Sequence, residues 1–334
     1  MLRILHGTNY DFIKWWKVMA AVTIGWILLG AAILGMHVAQ GKPAVNYSIE
    51  FTGGTLMQMR FAQPPHIDDI RQTVTQAGYG HAEIQEFGSP TEYTIRAPGA
   101  TQAAGDSTAR QIERALKERY GPTGVMRMKN EFVGARVGEE LRRNALIAIL
   151  ISFAVTLIYL AIRFEWRFGL AAVIATAHDV LTTLAFLAML RLEVSLTVVA
   201  AILTVIGYSL NDTIIIFDRV RENLKKQRKE SLYDVMNRSI NETLPRSVMT
   251  HATTLAATLA LLFFAGEAIR PFSWVMAFGI FTGTFSSIYV ATALLLYIER
   301  RWPRASEQKG TARALAEDRR QERADKAAKP VAAR

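Results

Sequence analysis

Ionisable residues lie inside long apolar stretches of this sequence, where charge is unfavourable and therefore points to function. His178 and Asp179 lie midway along one such stretch, and Asn211 with Asp212 lies in the next. Residues of this kind within a bilayer typically mark ion or proton pathways. A carboxylate in a dry helix bundle can load and release a proton near neutral pH, because burial disfavours its charged form.

Two further ionisable residues, Arg246 and His251, lie where the next apolar stretch begins, at a depth similar to that of Asp212. A nearby arginine would favour the charged carboxylate and could toggle its proton affinity. We therefore predict a proton pathway formed by Asp212, Arg246 and Asn211. The alternative is a polar anchor that only fixes helix packing.

His178 and Asp179, with His251, form a second intramembrane polar site, for which a proton role and a packing role both remain open. Sequence neighbours point about 100° apart on a helix. We therefore expect that His178 and Asp179 do not pair with each other.

Six apolar segments have the length of about 20 residues that a membrane-spanning helix needs. The first follows Lys14 and Lys17, as a signal peptide would, but its apolar stretch is longer than a signal core and predicts an uncleaved anchor. The segments are roughly residues 18–36, 144–162, 168–190, 194–217, 247–265 and 273–298.

The positive charge of the chain is distributed on one side of these spans. Lys and Arg number 39 against 29 Asp and Glu, a net charge of +10, and the excess falls in segments 1–17, 163–167, 219–246 and 299–334. Cytoplasmic loops carry such an excess. The pattern predicts a multi-pass protein of the bacterial cytoplasmic (inner) membrane with both termini cytoplasmic. It argues against nucleic-acid binding, because the excess is a topology signal.

The charge pattern divides the chain into four parts. Residues 1–36 are a cytoplasmic N-terminus and first span, 37–143 an outward (periplasmic) domain, and 144–298 five spans with a cytoplasmic loop at 219–246. Residues 299–334 are predicted to be a basic, disordered cytoplasmic tail. In the outward domain, strands at 55–61, 82–87, 92–97 and 125–132 and helices at 67–77 and 106–120 give the order βαββαβ, typical of a ferredoxin-like α+β fold.

Several kinds of chemistry are excluded by what the sequence lacks. It has no Cys, which rules out disulfides, thiolate metal sites and a cysteine nucleophile. It has no GxxxxGK[ST], HExxH or GxSxG motif, and its six His show no ligand spacing. We expect no metal, no cofactor other than a proton gradient, and no enzymatic activity.

Five sequence blocks together resemble the SecF branch of the SecD/SecF family of bacterial protein-export membrane proteins. The glycine-containing blocks at 46–55 and 132–141 suggest a structural motif of Glu50, Gly53, Gly54, Gly134 and Gly138, although the family usually has Asp at position 50. The blocks are NYSIEFTGGT (46–55), FVGARVGEEL (132–141), AHDV (177–180), GYSLNDTIIIFDR (207–219) and TLPRS (243–247).

The resemblance implies one half of a resistance-nodulation-division (RND) type transporter, with six transmembrane helices and one outward domain. It implies a separate SecD chain as the other half, the SecYEG channel with YajC-like and YidC-like subunits as further partners, and contact with unfolded preproteins and membrane lipid. In this family the carboxylate at the Asp212 position and the arginine at the Arg246 position are the proton-pathway residues, and the proton-motive force promotes late preprotein translocation.

Two other functions remain open. A small-molecule or ion exporter of the same superfamily usually carries larger or doubled outward domains, whereas this chain has one small domain. A passive scaffold of the translocon would tolerate an isosteric change at Asp212.

Overall fold

Six long helices dominate the computed structural model, which describes residues 7–98, 101–226, 230–266 and 269–302. All six are long and apolar enough to cross a membrane, which confirms the predicted spans. The sixth consists of two helices joined by a π-helical turn, Ser286–Ala291, a distortion often found at functional sites. The helices are α1 (Trp16–Ala39), α5 (Ala135–Arg163), α6 (Trp166–Leu190), α7 (Leu196–Lys226), α8 (Leu232–Phe264), α9 (Arg270–Phe285) and α10 (Thr292–Arg301).

The helices extend further than the apolar segments, and this corrects two expectations. Most of the predicted loop 219–246 is helical, because α7 continues to Lys226 and α8 starts at Leu232. Bilayer thickness limits the apolar stretch but not the helix, and ion pairs of Glu222 with Arg219 and Lys226 support α7 beyond it.

The predicted tail 299–334 also begins inside a helix, since α10 ends at Arg301. Its residues 303–334 lie outside the described part of the chain. At the other end of the bundle, α5 begins at Ala135, nine residues before the predicted span.

Helices α6, α7 and α9 with α10 form the centre of the bundle, while α1, α5 and α8 leave most of their apolar surface exposed. Small residues allow neighbouring helices to approach closely. A Cβ added at Gly279 of α9 would lie 2.3 Å from Val205 of α7, and one at Gly30 of α1 would lie 2.3 Å from Ala185 of α6.

A four-stranded antiparallel sheet lies between the first two spans. Its strands are β1 (Gly54–Phe61), β2 (Glu83–Phe87), β3 (Ser89–Ala97) and β4 (Val125–Val133), in the order β2-β3-β1-β4. Helices α3 (Ile67–Gln76) and α4 (Gln102–Tyr120) complete the ferredoxin-like arrangement, as the sequence predicted. A short helix, α2 (Ile49–Thr52), precedes β1. The core of this sheet domain is formed by Met57, Met59, Ile70, Val74, Ile95, Ile112 and Leu116.

Helix α4 begins four residues before its predicted start at 106. The side chain of Thr101 caps it by accepting a hydrogen bond from the backbone N–H of Ala104, at 3.2 Å. Gly105 lies inside α4, and the position requires glycine because a Cβ there would come within 2.4 Å of the Thr55 hydroxyl.

Candidate functional site

Asp212 lies in the interior of the bundle, on the face of α7 that meets α8. Asp212 is only 3% exposed, and the hydroxyl of Ser247 donates a hydrogen bond to its Oδ1. The second carboxylate oxygen, Oδ2, is buried and has no hydrogen-bond partner in the described part of the chain. A carboxylate held by one hydroxyl, with its other oxygen unpaired, is suited to accept a proton.

His251 lies one helical turn beyond Ser247 on α8 and is also buried. Its Nδ1 lies 2.5 Å from the backbone carbonyl oxygen of Ser247. A carbonyl oxygen can only accept, so Nδ1 carries the hydrogen, and the buried Nε2 is the acceptor nitrogen, with no partner among the described residues. The Tyr208 ring packs edge-on against the imidazole, with centroids 5.2 Å apart.

The structure turns two of the predicted residues, Asn211 and Arg246, away from this contact. Both are exposed on the chain surface, and within the described residues Arg246 forms no ion pair with Asp212. The reason is helical geometry: when Asp212 and Ser247 face each other, their preceding neighbours are rotated about 100° away. Arg246 is still near enough to influence the Asp212 carboxylate electrostatically.

Asp179 on α6 is a second carboxylate in the interior and is fully buried. It accepts a hydrogen bond from the Ser209 hydroxyl of α7, and its Oδ1 lies 3.0 Å from Nδ1 of His178. The expectation that His178 and Asp179 do not pair is therefore wrong. Their Cβ atoms do point about 100° apart, but the imidazole ring is long enough to swing along the helix and reach the neighbouring carboxylate.

Each of the two carboxylates is bound by a serine hydroxyl from the neighbouring helix, Asp179 by Ser209 of α7 and Asp212 by Ser247 of α8. Ser209 binds Asp179 one turn before Asp212, and Ser287 of the π-helical turn donates to the Ser209 carbonyl at 3.4 Å. The Ser287 hydroxyl also lies 2.9 Å from that of Thr213. The roles of Ser209 and Ser247 were not identified from the sequence, because hydroxyls are common in spans and only tertiary contacts show which of them meet a carboxylate.

The glycine motif is explained by close backbone contacts at the edge of the sheet domain. Gly53 and Gly54 have φ of +72° and +116°, and a Cβ at Gly53 would lie 2.7 Å from the Cα of Ala135. A Cβ at Gly138 would lie 3.0 Å from the Gly53 nitrogen. Gly134 differs, since a Cβ there would meet nothing within 4 Å. Glu50 accepts a hydrogen bond from the backbone N–H of Leu196, at 2.6 Å.

Within residues 7–98, 101–226, 230–266 and 269–302, no three His, Asp or Glu side chains come together as a metal site requires. The buried polar contacts described above join carboxylates, imidazoles and hydroxyls of α6, α7 and α8. These features define a polytopic membrane protein with a ferredoxin-like domain inserted after its first span.

Comparison with known proteins specifies the family. The model for "Protein export membrane protein SecD/SecF, C-terminal" matches residues 112–301, and the SecD/SecF GG motif matches residues 40–65. The chain is 57% identical to a protein translocase subunit SecF of Gemmatimonas aurantiaca over 321 residues, which is 94% of each chain. It is 41% identical to the SecF of Vibrio alginolyticus, covering 89% of this chain and 92% of that one. The chain thus belongs to the SecD/SecF family, as its sequence blocks indicated.

Solved structures of SecDF proteins have a fold similar to that of this chain. The chain superposes on the crystal structure of SecDF, a translocon-associated membrane protein from Thermus thermophilus, with a TM-score of 0.76 and 36% identity over 90% of its length. It spans 40% of that longer SecDF chain. A second SecDF structure, in a super-membrane-facing form, gives a TM-score of 0.63 and 37% identity.

Proposed function

We propose that this chain is a SecD-partnered accessory subunit of the Sec protein-export machinery, in which protons pass through Asp212 and drive late preprotein translocation. The observation that carries the proposal is the Asp212 carboxylate, buried between α7 and α8 with one oxygen bound by Ser247 and the other unpaired. A proton crossing 100 mV releases about 2.3 kcal/mol, enough to bias a conformational equilibrium.

The proposed location is the bacterial cytoplasmic membrane, with both termini cytoplasmic and the sheet domain on the outer side. The one-sided charge of the segments flanking the spans supports this orientation. We propose that SecYEG is the channel that the subunit serves, with YajC-like and YidC-like proteins as further partners and unfolded preproteins as substrates.

The exposed position of Arg246 supports a separate SecD chain as partner. An arginine exposed to lipid is unfavourable, by up to about 2.5–3.5 kcal/mol at the bilayer centre on insertion scales, and Arg246 lies exposed where the apolar part of α8 begins. A partner chain that covers this face of α8 would remove the charge from lipid and keep it near Asp212.

The test is late-stage translocation into inverted membrane vesicles with and without a proton gradient. Asp212→Asn keeps the shape of the side chain and its bond to Ser247 but removes titration. The variant should insert and bind SecD yet lose the stimulation by the gradient. Asp234→Asn is the matched control, because it makes the same exchange at an exposed site in the first turn of α8. An Asp212→Asn variant that responds fully to the gradient would favour the passive scaffold.

A further inference from the structure

The sheet domain is attached to the membrane bundle by backbone pairing to the loop between α6 and α7. Tyr47 and Val194 form a parallel bridge. The Ser48 N–H donates to the Val194 carbonyl at 2.9 Å, and the Val194 N–H donates to the Asn46 carbonyl at 2.7 Å. Residues 46–48, before the glycine motif, therefore behave as one short strand paired with the loop that leads into α7.

Glu50 extends this attachment to α7 itself. Its Oε2 accepts a hydrogen bond from the backbone N–H of Leu196, the first residue of α7, at 2.6 Å. A carboxylate at this position satisfies a free N–H of the first turn and interacts favourably with the helix dipole. Phe51 is buried beside Glu50 and joins an apolar cluster with Val198 and Ile202 of the same helix.

Arg96 of β3 adds an ion pair across the same boundary. Its Nη2 donates to Glu193 of the loop at 2.5 Å, while Nη1 donates to Glu83 of β2 at 2.8 Å and to the Tyr47 carbonyl at 2.9 Å. The Arg96 side chain is only 13% exposed, so the contact is less screened than a surface ion pair.

The charges around Glu193 are dominated by carboxylates. Glu50, Glu83 and Glu131 all act on it. Arg96 pairs with both Glu193 and Glu83, while Lys129 pairs with Glu131. Burial raises the pKa of Glu193 above its usual value, and Arg96 opposes the shift. Loss of Arg96 would therefore leave a group of like charges at the contact between the sheet domain and the loop.

Helix α7 connects this contact to the candidate proton site without interruption. It runs from Leu196 to Lys226 as one α-helix, and Asp212 is 16 residues from its start, about 24 Å at 1.5 Å per residue. A movement of α7 at Asp212 would therefore move its first turn as well.

We propose that residues 46–50, Arg96 and residues 191–196 form a rigid joint, through which displacement of α7 is transmitted to the sheet domain. The proposal deepens the proposed function and rests on it. Glu50 and Arg96 are positioning residues: they take up no proton in the pathway but make the sheet domain follow the helix that carries Asp212.

The first test measures the joint without measuring export. Spin labels at Gln76→Cys in the sheet domain and Ile269→Cys beside α9 are specific, since the chain has no other cysteine. The unaltered joint should give one narrow distance distribution, and Arg96→Met with Glu50→Ala should broaden it. Arg60→Met is the matched control, because it removes the Arg60–Glu92 ion pair within the same sheet and should leave the distribution narrow. An unchanged distribution in the double variant would overturn the joint.

The second test separates the joint from the proton site. In vesicles with SecD, the Arg96→Met/Glu50→Ala variant should lose gradient-stimulated translocation, whereas Asp212→Asn should lose stimulation but keep the narrow distance distribution. If Asp212→Asn is fully active while the double variant still broadens the distribution, the proton role fails and the joint stands as a structural contact. If the double variant keeps full stimulation, transmission through the joint is refuted.

A disulfide tests rigidity directly and does not depend on the double variant folding. Tyr47→Cys with Val194→Cys places two thiols at the bridged positions. If the joint is rigid, oxidation should leave gradient-stimulated translocation unchanged relative to the reduced protein. Activity that is lost on oxidation and restored by a reductant would show that the contact must open, which would overturn the proposal.

Discussion

Replacement of Gly279 by alanine should force α7 and α9 apart. The added Cβ would lie 2.3 Å and 2.7 Å from the two γ-carbons of Val205, and 3.0 Å from its Cβ. Ordinary carbon contacts are about 3.5–4.0 Å, so the helices must separate by about 1 Å or Val205 must leave its position. Overpacking of this kind typically destabilises a protein by about 1–3 kcal/mol.

Gly207→Ala on α7 is the matched control, because a Cβ there would meet nothing within 4 Å. Both exchanges gain the same helix propensity, about 1 kcal/mol at most. The difference between the two variants therefore isolates the clash. We expect Gly279→Ala to have a free energy of unfolding about 1–3 kcal/mol below that of Gly207→Ala.

The assay is reversible unfolding of the purified protein in mixed micelles, followed by a double-mutant cycle with Val205→Ala. That second change removes the two nearest atoms, so Gly279→Ala should be less destabilising in its presence. Coupling between contacting residues is typically about 0.5–3 kcal/mol. Equal stability of the two glycine variants, or additivity of Gly279→Ala and Val205→Ala, would refute the close contact between α7 and α9.

Two further predictions concern the pH response and the topology. The pKa of Glu193 is raised above its ordinary value near 4.5, so its protonated form stabilises the folded state at low pH. That contribution is lost as pH rises through the raised pKa. Glu193→Gln should therefore reduce this decrease in the free energy of unfolding with rising pH. An unchanged pH dependence would contradict the raised pKa of Glu193. A membrane-impermeant thiol reagent applied to intact cells should label Gln76→Cys and leave Lys226→Cys unlabelled; the reverse pattern would invert the proposed orientation.

The six spans and the sheet domain could be predicted because each depends on a local pattern. A span is a run of apolar residues of fixed length, and strands β1 and β3 largely alternate between buried and more exposed residues, as in a half-buried sheet. The ends of the helices were harder to predict. Polar residues beyond Phe217 continue α7 into water, where neither apolar length nor charge shows the end of a helix.

The candidate site was predicted in part, for a physical reason. A buried Asp is conspicuous in an apolar stretch, so Asp212 and Asp179 could be identified from the sequence. Their hydroxyl partners could not, because Ser209 and Ser247 are chosen by the way α6 and α8 pack on α7. The contact of Glu50 with Leu196, residues far apart in the sequence, likewise exists only in the folded chain.

In the proposed function, Asp212 itself takes up and releases a proton. Infrared difference spectroscopy of the purified chain with SecD, recorded on a pH change, detects the carbonyl stretch of a protonated carboxylic acid. We predict a band that is absent in Asp212→Asn and retained in Asp234→Asn. An identical band in Asp212→Asn, or its loss only in Asp179→Asn, would show that Asp212 is not the group that binds the proton.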